Sequence, residues 1–317
     1  MFDQKSKTKE QNDKALQLIN VNKIYKGGFH AVKDISFDVY PGDFFALLGP
    51  NGAGKSTTLG MISSLVNKTS GYIKICGYDI EAEYHLARKH LGVMPQEINL
   101  NIFETPIQIL LAQAGFFGIS RSKAKPYAEK LLKDMALWDK KDTQVRFLSG
   151  GMKRRLMVAR ALVHKPEVLI LDEPTAGVDV ELRQSLWALM QELNKKGLTI
   201  ILTTHYLEEA ESMCNRIALI HHGKVHISTD MKKLLRSVEK ETYIFDLKSS
   251  LQGRHPQCTF GNLHVVDDVT IEIEVDRSVT LNQLFALLSE QNIEVISVKT
   301  KTNKLERLFI DVARSKA

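Results

Sequence analysis

The sequence predicts an α/β fold in which helices cover a parallel β-sheet, and two patterns in the first two-thirds of the chain support this. Short apolar runs, each beside a long amphipathic segment, are typical of buried parallel strands. Other runs alternate apolar and polar side chains between glycine-containing turns, which indicates an antiparallel flank beside that sheet. The predicted buried strands are residues 44–48, 168–171 and 198–202, and the predicted flanking strands are residues 16–25, 31–40 and 71–79.

A helical insertion interrupts this α/β pattern between about residues 97 and 165. Thr105 is a suitable N-cap and Pro106 suits the first position of a helix. Residues 124–137 then repeat apolar side chains at helical spacing. We therefore expect a helical subdomain inside the α/β unit.

The last quarter of the chain predicts a small, separate α+β domain. Residues 243–245 are typical of a strand. Residues 269–276 alternate strictly between apolar and polar side chains, which predicts a second strand with one solvent-exposed face. Thr280 and Gln283 form a capping-box pattern before a helix over residues 281–289. A further strand is expected over residues 293–298 and a short helix over residues 305–312.

Length and composition indicate a globular protein of about two domains. The chain has 317 residues, of which 44% are hydrophobic and 25% charged, close to the average for globular domains. Lys and Arg outnumber Asp and Glu by 43 to 37, a net charge of +6, which permits an anionic partner without choosing one. No apolar stretch reaches the roughly 20 residues of a membrane-spanning helix. We predict a flexible charged tail over residues 1–14, a main domain over 15–236 and an accessory domain over 237–317.

The cysteines and a histidine cluster predict neither a disulfide nor a metal site. The cysteines stand far apart, without a pairing motif or metal-ligand spacing, which fits buried thiols in a reducing compartment. His221, His222 and His226 lack a cysteine or carboxylate that would complete a ligand set, so a solvated turn after residue 220 is favoured. The cysteines are Cys76, Cys214 and Cys258.

Residues 49–56 carry the strongest chemical signal, because they match G-x-x-x-x-G-K-[ST] between a predicted strand and a predicted helix. The glycines let backbone N–H groups and a helix N-terminus face phosphate oxygens, while Lys55 reaches the β and γ phosphates and the Ser56 hydroxyl holds Mg²⁺. A plain glycine-rich turn would match by chance in roughly 1% of chains of this length. The predicted nucleotide-binding residues here are Gly49, Pro50, Asn51, Gly52, Ala53, Gly54, Lys55, Ser56 and Thr57.

Two adjacent carboxylates follow the apolar strand at residues 168–171, at the end of the strand where open α/β sheets bind ligands. Asp172 is predicted to coordinate Mg²⁺, directly or through water, and Glu173 to act as general base on the attacking water. Adjacent residues of an extended chain point to opposite sides, so the pair can divide these roles. A solvated strand exit is the alternative interpretation.

A second potential anion site precedes another predicted helix. The Ser149 hydroxyl and the amides of Gly150 and Gly151 would form a helix N-terminus suited to an anion, although a plain helix cap is the alternative. Residues 153–155 are three cations in the first turn, which costs about 0.3–1 kcal/mol each against the helix dipole. A nearby anion would offset that cost.

In order and spacing, these three motifs resemble those of ABC transporter ATP-binding subunits, over about residues 16–231. The resemblance implies a RecA-like P-loop NTPase core. The usual glutamine after Leu-Ser-Gly-Gly is Met152 here, which puts only that glutamine's contact in doubt. Further positions resemble the family's adenine-stacking aromatic (Tyr25), Q-loop glutamine (Gln96), D-loop aspartate (Asp179) and switch histidine (His205).

The resemblance implies an ATPase that works as a head-to-tail dimer, with ATP sandwiched between the phosphate loop of one copy and residues 149–151 of the other. Glu173 would drive hydrolysis, His205 would contact the γ-phosphate, and Gln96 would link Mg²⁺ to the partner surface. ATP and Mg²⁺ are the implied cofactors. The implied partners are a second copy and separate integral membrane permease subunits, with no nucleic acid, at the cytoplasmic face of the inner (plasma) membrane.

Subclass features resemble ATPases that serve ABC-2-type export permeases, namely residues 152–155, 177–180 and 305–309. The same ATPase motifs occur in importers, and in ABC ATPases that act on ribosomes or DNA, which commonly carry two ATPase units or a coiled-coil insertion. A P-loop kinase would give Gln96 and His205 no task. The apolar residues after Gln96 are expected either to line a groove for a permease helix or to pack in the core; they are Ile98, Leu100, Ile102 and Phe103. Cargo is not encoded in these motifs.

Overall fold

The computed structural model describes residues 13–236, 240–276, 278–301 and 305. The chain divides into two compact units between Thr229 and Asp230, whereas the sequence analysis placed the boundary after residue 236. The predicted tail lies outside the described residues except for positions 13 and 14. The predicted helix over residues 305–312 also lies outside them except for position 305.

The first unit alternates strands and helices along the chain, and short 3₁₀ turns follow α4 at Trp138–Lys140 and Val145–Phe147. Its strands are β1 (Leu16–Ile24), β2 (His30–Val39), β3 (Phe44–Leu48), β4 (Ser70–Ile75), β5 (Tyr78–Asp79), β6 (Leu91–Met94), β7 (Val168–Asp172), β8 (Thr199–Thr203), β9 (Arg216–His221) and β10 (Lys224–Asp230). Its helices are α1 (Lys55–Ile62), α2 (Tyr84–Lys89), α3 (Pro106–Phe116), α4 (Arg121–Asp134), α5 (Gly150–Leu162), α6 (Val180–Lys195) and α7 (Leu207–Met213).

A six-stranded sheet with the order β10-β9-β3-β8-β7-β6 lies at the centre of this unit, and β9, β3, β8, β7 and β6 pair in parallel. Every residue of β3 and β8 is buried, which confirms the prediction of a parallel sheet covered on both faces. Strand β6 was not predicted, because four residues including a glycine are too few to show a period. The carboxyl ends of the parallel strands meet at one edge of the sheet.

The antiparallel flank has the order β2-β1-β4-β5 and shares its core with the parallel sheet. The prediction of one strand over residues 71–79 is wrong. Cys76 and Gly77 adopt φ values of +47° and +83° and form a two-residue turn that pairs Ile75 with Tyr78. Positive φ at both central residues is the geometry that matches the twist of a tight hairpin.

Helices α3, α4 and α5 form the predicted helical insertion. The Thr105 side chain accepts a hydrogen bond from the backbone N–H of Gln108, and the Gln108 side-chain Oε1 accepts one from the Thr105 N–H. Pro106 is the first residue of the helix. Helix α4 begins and ends three residues earlier than residues 124–137. Ala136 follows it with a φ of +52°, and that left-handed conformation cannot continue a helix.

The second unit is an antiparallel sheet with one helix against its apolar face. The sheet order is β12-β13-β11-β14, and Phe245, Ile271, Ile273, Leu284 and Leu288 are fully buried in its core. The predicted capping box at the start of the helix is present. The elements are α8 (Met231–Arg236), β11 (Lys240–Leu247), β12 (Gly261–Asp267), β13 (Thr270–Asp276), α9 (Leu281–Glu290) and β14 (Val295–Thr300). Within the described residues, no helix has the length and apolarity to cross a bilayer.

Candidate functional site

The phosphate loop connects the carboxyl end of β3 to the start of α1, and two of its glycines are required by close backbone approaches. A Cβ at Gly49 would lie 2.2 Å from the carbonyl oxygen of Ile220. Gly54 adopts a φ of +106°, and a Cβ there would lie 2.8 Å from the carbonyl oxygen of Ala31. Larger residues at these two positions would push the loop away from β9 and β2.

Lys55 is buried at the base of this loop, with an exposed fraction of only 8%. Its Nζ donates to the carbonyl oxygens of Gly49 at 2.6 Å and Pro50 at 3.1 Å. Burial lowers the pKa of Lys55, and the nearby charges of Glu173 and Asp172 oppose that shift. The ammonium is thus held under the loop, close to both carboxylates of the site.

The other predicted residues of the loop surround the start of α1. Ser56 is exposed beside the buried Lys55, and the tip of the loop, Asn51 and Gly52, is exposed as well. The Thr57 hydroxyl lies 3.4 Å from the hydroxyl of Tyr25, whose ring is partly exposed. The structure therefore brings the predicted adenine-stacking residue next to the phosphate loop. Ala53 and Gly54, also predicted to bind nucleotide, lie on the inner side of the phosphate loop.

Asp172 is the last residue of β7, and its Oδ1 accepts a hydrogen bond from the hydroxyl of Thr203 at the end of β8. Burial raises the pKa of Asp172 and Glu173 adds to the rise, whereas the Thr203 hydrogen bond and Lys55 oppose it. Glu173 adopts a φ of +46°, so the chain is not extended there. The extended geometry that was predicted to turn the two side chains to opposite sides is therefore absent at Glu173, where the backbone is left-handed.

Two predicted catalytic residues, Gln96 and His205, lie beside the carboxylate of a third, Glu173. The Gln96 amide nitrogen donates to Glu173 Oε2 at 2.9 Å, and His205 Nδ1 lies 3.5 Å from the same oxygen. These residues follow β6, β7 and β8 in turn. The Glu173 side chain is only 17% exposed and that of His205 is 50% exposed, so the carboxylate lies inward with an imidazole at its open side.

Sequence reasoning missed the buried support behind this cluster. Glu209 of α7 is fully buried and accepts hydrogen bonds from Thr175 Oγ1 at 2.5 Å and Thr204 Oγ1 at 2.6 Å. It therefore ties the segment after β7 to the segment after β8. Glu208 and Glu209 look alike in the sequence, and only the fold tells the buried carboxylate from its exposed neighbour.

Ser149 caps α5, with its Oγ accepting from the Met152 N–H at 3.2 Å. Arg154, in the first turns of this helix, donates to the carbonyl oxygens of Gln96 at 2.6 Å and Ala176 at 3.2 Å. Two carbonyl oxygens thus hold this cation, and the Glu173 charge opposes the lowering of the Arg154 pKa by burial. The guanidinium also joins the Gln96 segment to the loop after Glu173, a link that the sequence did not predict.

Gly151 and Asp179 connect α5 to α6. A Cβ at Gly151 would lie 1.9 Å from a Leu182 methyl carbon, so a side chain there would displace Leu182. Asp179 is the N-cap of α6, and its Oδ1 accepts from the Leu182 N–H at 2.9 Å. Within residues 13–236 the side chains of Ser149 and Asp179 make no hydrogen bond to the phosphate loop. Ser149 and Gly150 are exposed.

An apolar surface follows Gln96 on the side of the helical insertion. Core packing is excluded for Ile98, Ile102 and Phe103, all of which are exposed, Phe103 by 64%. Leu100 is partly buried. A groove of about 580 Å³ begins beside this surface, lined by Phe103, Glu104, Gln108, Leu111, Ala112 and Arg121.

The solvated turn predicted for the histidine cluster is wrong for His221. This residue ends β9 with an exposed fraction of 7%, and its ring lies 4.1 Å from that of His222 and 5.5 Å from that of His226. The turn itself follows at His222 and Gly223, both with positive φ.

Known proteins resemble this chain in sequence. The family model described as ABC transporter matches residues 32–176. The chain is 37% identical over 305 residues to the linearmycin resistance ATP-binding protein LnrL of Bacillus subtilis, covering 94% of this chain and 97% of that protein. It is 45% identical over 210 residues to a Nod factor export ATP-binding protein I of Cupriavidus metallidurans, covering 66% of this chain and 69% of that protein.

Solved structures resemble about two-thirds of this chain in fold. One is cbiO1 from Clostridium perfringens, part of the ABC transporter complex cbiONQ, with a TM-score of 0.65 and 29% identity over 71% of this chain and 92% of that chain. Another is the dimeric post-hydrolysis state of the ATP-binding cassette MJ0796 bound to ADP and phosphate, with a TM-score of 0.62 and 27% identity over 68% of this chain and 98% of that chain. The P-loop NTPase fold is confirmed. The chain belongs to the ABC transporter family and is an ATP-binding transporter subunit with ATPase activity.

Proposed function

We propose that this chain powers export of a substrate across the membrane through a separate ABC-2-type permease. The observation that carries the proposal is the match to a resistance ATP-binding protein over 94% of the chain, which includes the C-terminal unit. A second relative, matched over 66% of this chain, is named an export ATP-binding protein. Both names describe outward transport or resistance, and the described residues offer no membrane-spanning helix of their own.

The site residues suit hydrolysis of a nucleoside triphosphate. Lys55 neutralises charge on the β and γ phosphates, and Glu173 accepts a proton from the attacking water. Gln96 and His205 both point at one Glu173 oxygen, so they orient the carboxylate and the γ-phosphate end of the substrate. Tyr25 stacks on the base.

The donors beside the phosphate loop fit a magnesium ion. Asp172 Oδ1 accepts a hydrogen bond from Thr203, while its Oδ2 accepts no hydrogen bond from the described residues. The hydroxyl group of Ser56, the residue after Lys55, is exposed. Hard oxygen donors of this kind are the ligands of Mg²⁺, which keeps several waters and the substrate phosphates as further ligands. Ser56, Asp172 and the Gln96 oxygen would hold the ion, which when bound neutralises charge on the β and γ phosphates.

A second copy of the chain completes the site. Ser149, Gly150 and Asp179 contact no phosphate-loop residue of their own chain by a hydrogen bond, and the exposed end of α5 offers backbone N–H groups to an anion. We infer that they meet the ATP held by the partner's phosphate loop. ATP binding then closes the dimer, and hydrolysis reopens it.

The permease docks on the apolar surface formed by Ile98, Ile102 and Phe103. Exposed apolar side chains mark interaction sites, and these three lie within seven residues of Gln96 in the sequence. Gln96 itself hydrogen-bonds to Glu173. A displacement of this surface against the permease is therefore coupled to the Glu173 carboxylate through Gln96. We infer from this docking that the chain works at the cytoplasmic face of the inner membrane, where ATP is available.

Purification of tagged Glu173→Gln protein with ATP from detergent-solubilised membranes tests this proposal. Mass spectrometry should identify a polytopic membrane protein, and a Glu173→Gln/Phe103→Asp variant should lose that protein while keeping its own ATP-dependent dimer. Recovery of ribosomal or DNA-bound proteins from the soluble fraction would overturn the transport role. Recovery of an extracellular substrate-binding protein with the permease would instead identify an importer.

A further inference from the structure

A second group of chemically active side chains lies at the amino ends of β6 and β7, away from the nucleotide site. Cys76 lies in the turn between β4 and β5, His90 directly precedes β6, and Glu167 directly precedes β7. One sulfur, one ring nitrogen and one carboxylate oxygen from these residues lie within 4.8 Å of one another. His90 Nδ1 is 2.8 Å from Glu167 Oε1, and Cys76 Sγ is 3.7 Å from Glu167 Oε2.

The backbone holds these three residues in place. The N–H groups of Glu167 and Val168 both donate to the His90 carbonyl oxygen, at 3.1 and 2.9 Å, and the Cys76 N–H donates to Ala15 at 2.9 Å. The Tyr78 ring stacks on His90 with 5.2 Å between centroids and 12° between planes. The ligand atoms are therefore preorganised, and little ordering remains for a binding event to supply.

The surroundings admit a cation. The cluster opens onto a groove of about 810 Å³, wide enough for an ion and its waters. Three lysines line the same groove. Two of them pair with carboxylates that partly compensate their charge, and the third lies above an aromatic ring. The pairs are Lys14 with Asp38 at 2.8 Å, Lys196 with Glu192 at 2.5 Å, and Lys165 above the Tyr127 ring at 4.7 Å.

We propose that Cys76, His90 and Glu167 form a binding site for a divalent transition-metal ion, with Zn²⁺ as the best match, and that a water completes a tetrahedral ligand set. Sulfur, imidazole nitrogen and carboxylate oxygen are the three donor types that Zn²⁺ accepts. Mg²⁺ and Ca²⁺ instead take all-oxygen sets, so this site is chemically distinct from the one beside the phosphate loop. The ion joins the β4–β5 turn to the amino ends of the two strands whose carboxyl ends lead to Gln96 and Glu173.

A redox role for Cys76 is the competing interpretation, and the environment disfavours it. Burial, with Glu167 adding to the effect, raises the pKa of the Cys76 thiol to about 12. Oxidants and disulfides react with the thiolate, which is scarce at neutral pH in such an environment. A bound divalent cation reverses this balance, because a coordinated thiol is deprotonated.

Cobalt titration of untagged, nucleotide-free protein tests the proposal, since Co²⁺ occupies tetrahedral zinc sites and reports thiolate ligands by charge-transfer absorbance. We expect one Co²⁺ per chain with a thiolate band, displaced by stoichiometric Zn²⁺. Cys76→Ala should abolish the band and weaken binding more than about 100-fold, because even loss of an outer partner costs about 10–100-fold. The matched controls Cys258→Ala and His226→Ala should bind Co²⁺ within about twofold of the unmodified chain.

A second ligand variant keeps the test decisive if Cys76→Ala folds poorly. The Glu167 side chain is 66% exposed, so Glu167→Gln carries little risk to folding, and it should weaken Co²⁺ binding about 10-fold or more. Absence of a thiolate band at stoichiometric Co²⁺ would overturn the proposal. A band that survives Cys76→Ala, or an affinity unchanged by Glu167→Gln, would overturn it as well.

Discussion

The two ends of β6 and β7 carry similar side chains in different surroundings. At the carboxyl ends, Glu173 is 17% exposed and receives Gln96 and His205 at one oxygen, with a buried polar network behind it. At the amino ends, Glu167 is 66% exposed and has His90 and Cys76 as its side-chain partners. The comparison teaches that carboxylates on one strand pair can serve separate tasks, because burial and neighbours set the chemistry. Changes at the carboxyl ends should therefore affect turnover and folding, and changes at the amino ends should affect ion affinity.

The largest effect is expected from Glu173→Gln at the carboxyl end. Loss of the general base should lower kcat for ATP hydrolysis by about 10²–10⁴-fold, while ATP affinity changes by less than about threefold because the phosphate contacts remain. Steady-state phosphate release and equilibrium nucleotide binding measure the two effects. Glu192→Gln, on the exposed face of α6, is the control and should hydrolyse ATP normally. If Glu173→Gln hydrolysed ATP at the wild-type rate, Glu173 would not be the general base.

Glu209→Ala should produce the next largest effect, on folding stability. Two threonine hydroxyls would lose a buried carboxylate acceptor, which costs about 2–4 kcal/mol of unfolding free energy. Urea denaturation monitored by circular dichroism measures this change. The exposed neighbour Glu208→Ala is the matched control, with an expected loss below about 1 kcal/mol. Equal losses in the two variants would contradict the role of the buried network.

Arg154→Ala breaks the guanidinium link between the Gln96 and Ala176 carbonyls. Loss of this link loosens the position of Gln96 against Glu173, so we expect kcat to fall about 10-fold with KM for ATP changed less than about threefold. Arg154→Lys should restore only part of the rate, because a single ammonium cannot span both carbonyls as a guanidinium does. If KM rises and kcat stays constant, the residue acts in nucleotide binding and not in positioning.

Asp172→Asn tests the electrostatics of the carboxyl end through pH. The folded state raises the pKa of Asp172 above its ordinary value of 3.8, so the folded chain binds this proton more tightly than the unfolded chain does. Wild-type stability therefore falls as pH rises through the interval above 3.8, and Asp172→Asn should be more stable by about 1 kcal/mol at neutral pH. That advantage should disappear below pH 3.8.

The smallest effect belongs to the amino end. In metal-free buffer Glu167→Gln should change the unfolding free energy by less than about 0.5 kcal/mol, because an exposed hydrogen-bonded pair contributes little. Chemical denaturation of chelator-treated protein measures it. A loss of unfolding free energy comparable to that of Glu209→Ala would contradict the difference proposed between the amino and carboxyl ends of β6 and β7.

Much of this arrangement follows from local sequence signals. Apolar runs predict the buried strands, the glycines at 49 and 54 predict the phosphate loop, and the Thr105 and Thr280 caps predict where two helices begin. These features depend on neighbours in the chain. They are therefore readable without the fold.

The features that escaped prediction depend on partners far apart in the sequence. Arg154 reaches a carbonyl 58 residues away, and Glu209 reaches a threonine 34 residues away. Cys76 and Glu167 are separated by 91 residues, so no metal-ligand spacing reveals their proximity. The hairpin at Cys76 and Gly77 was missed for another reason, because its second strand, Tyr78–Asp79, is only two residues long.

Sedimentation velocity of Glu173→Gln protein with and without Mg²⁺ and ATP tests the central claim most directly, namely that one chain supplies half of each hydrolytic site. We expect a monomer without nucleotide, a dimer with ATP, and no dimer when Ser149→Glu places a negative charge opposite the phosphates. A dimer that forms without ATP, or one that Ser149→Glu leaves intact, would contradict the account.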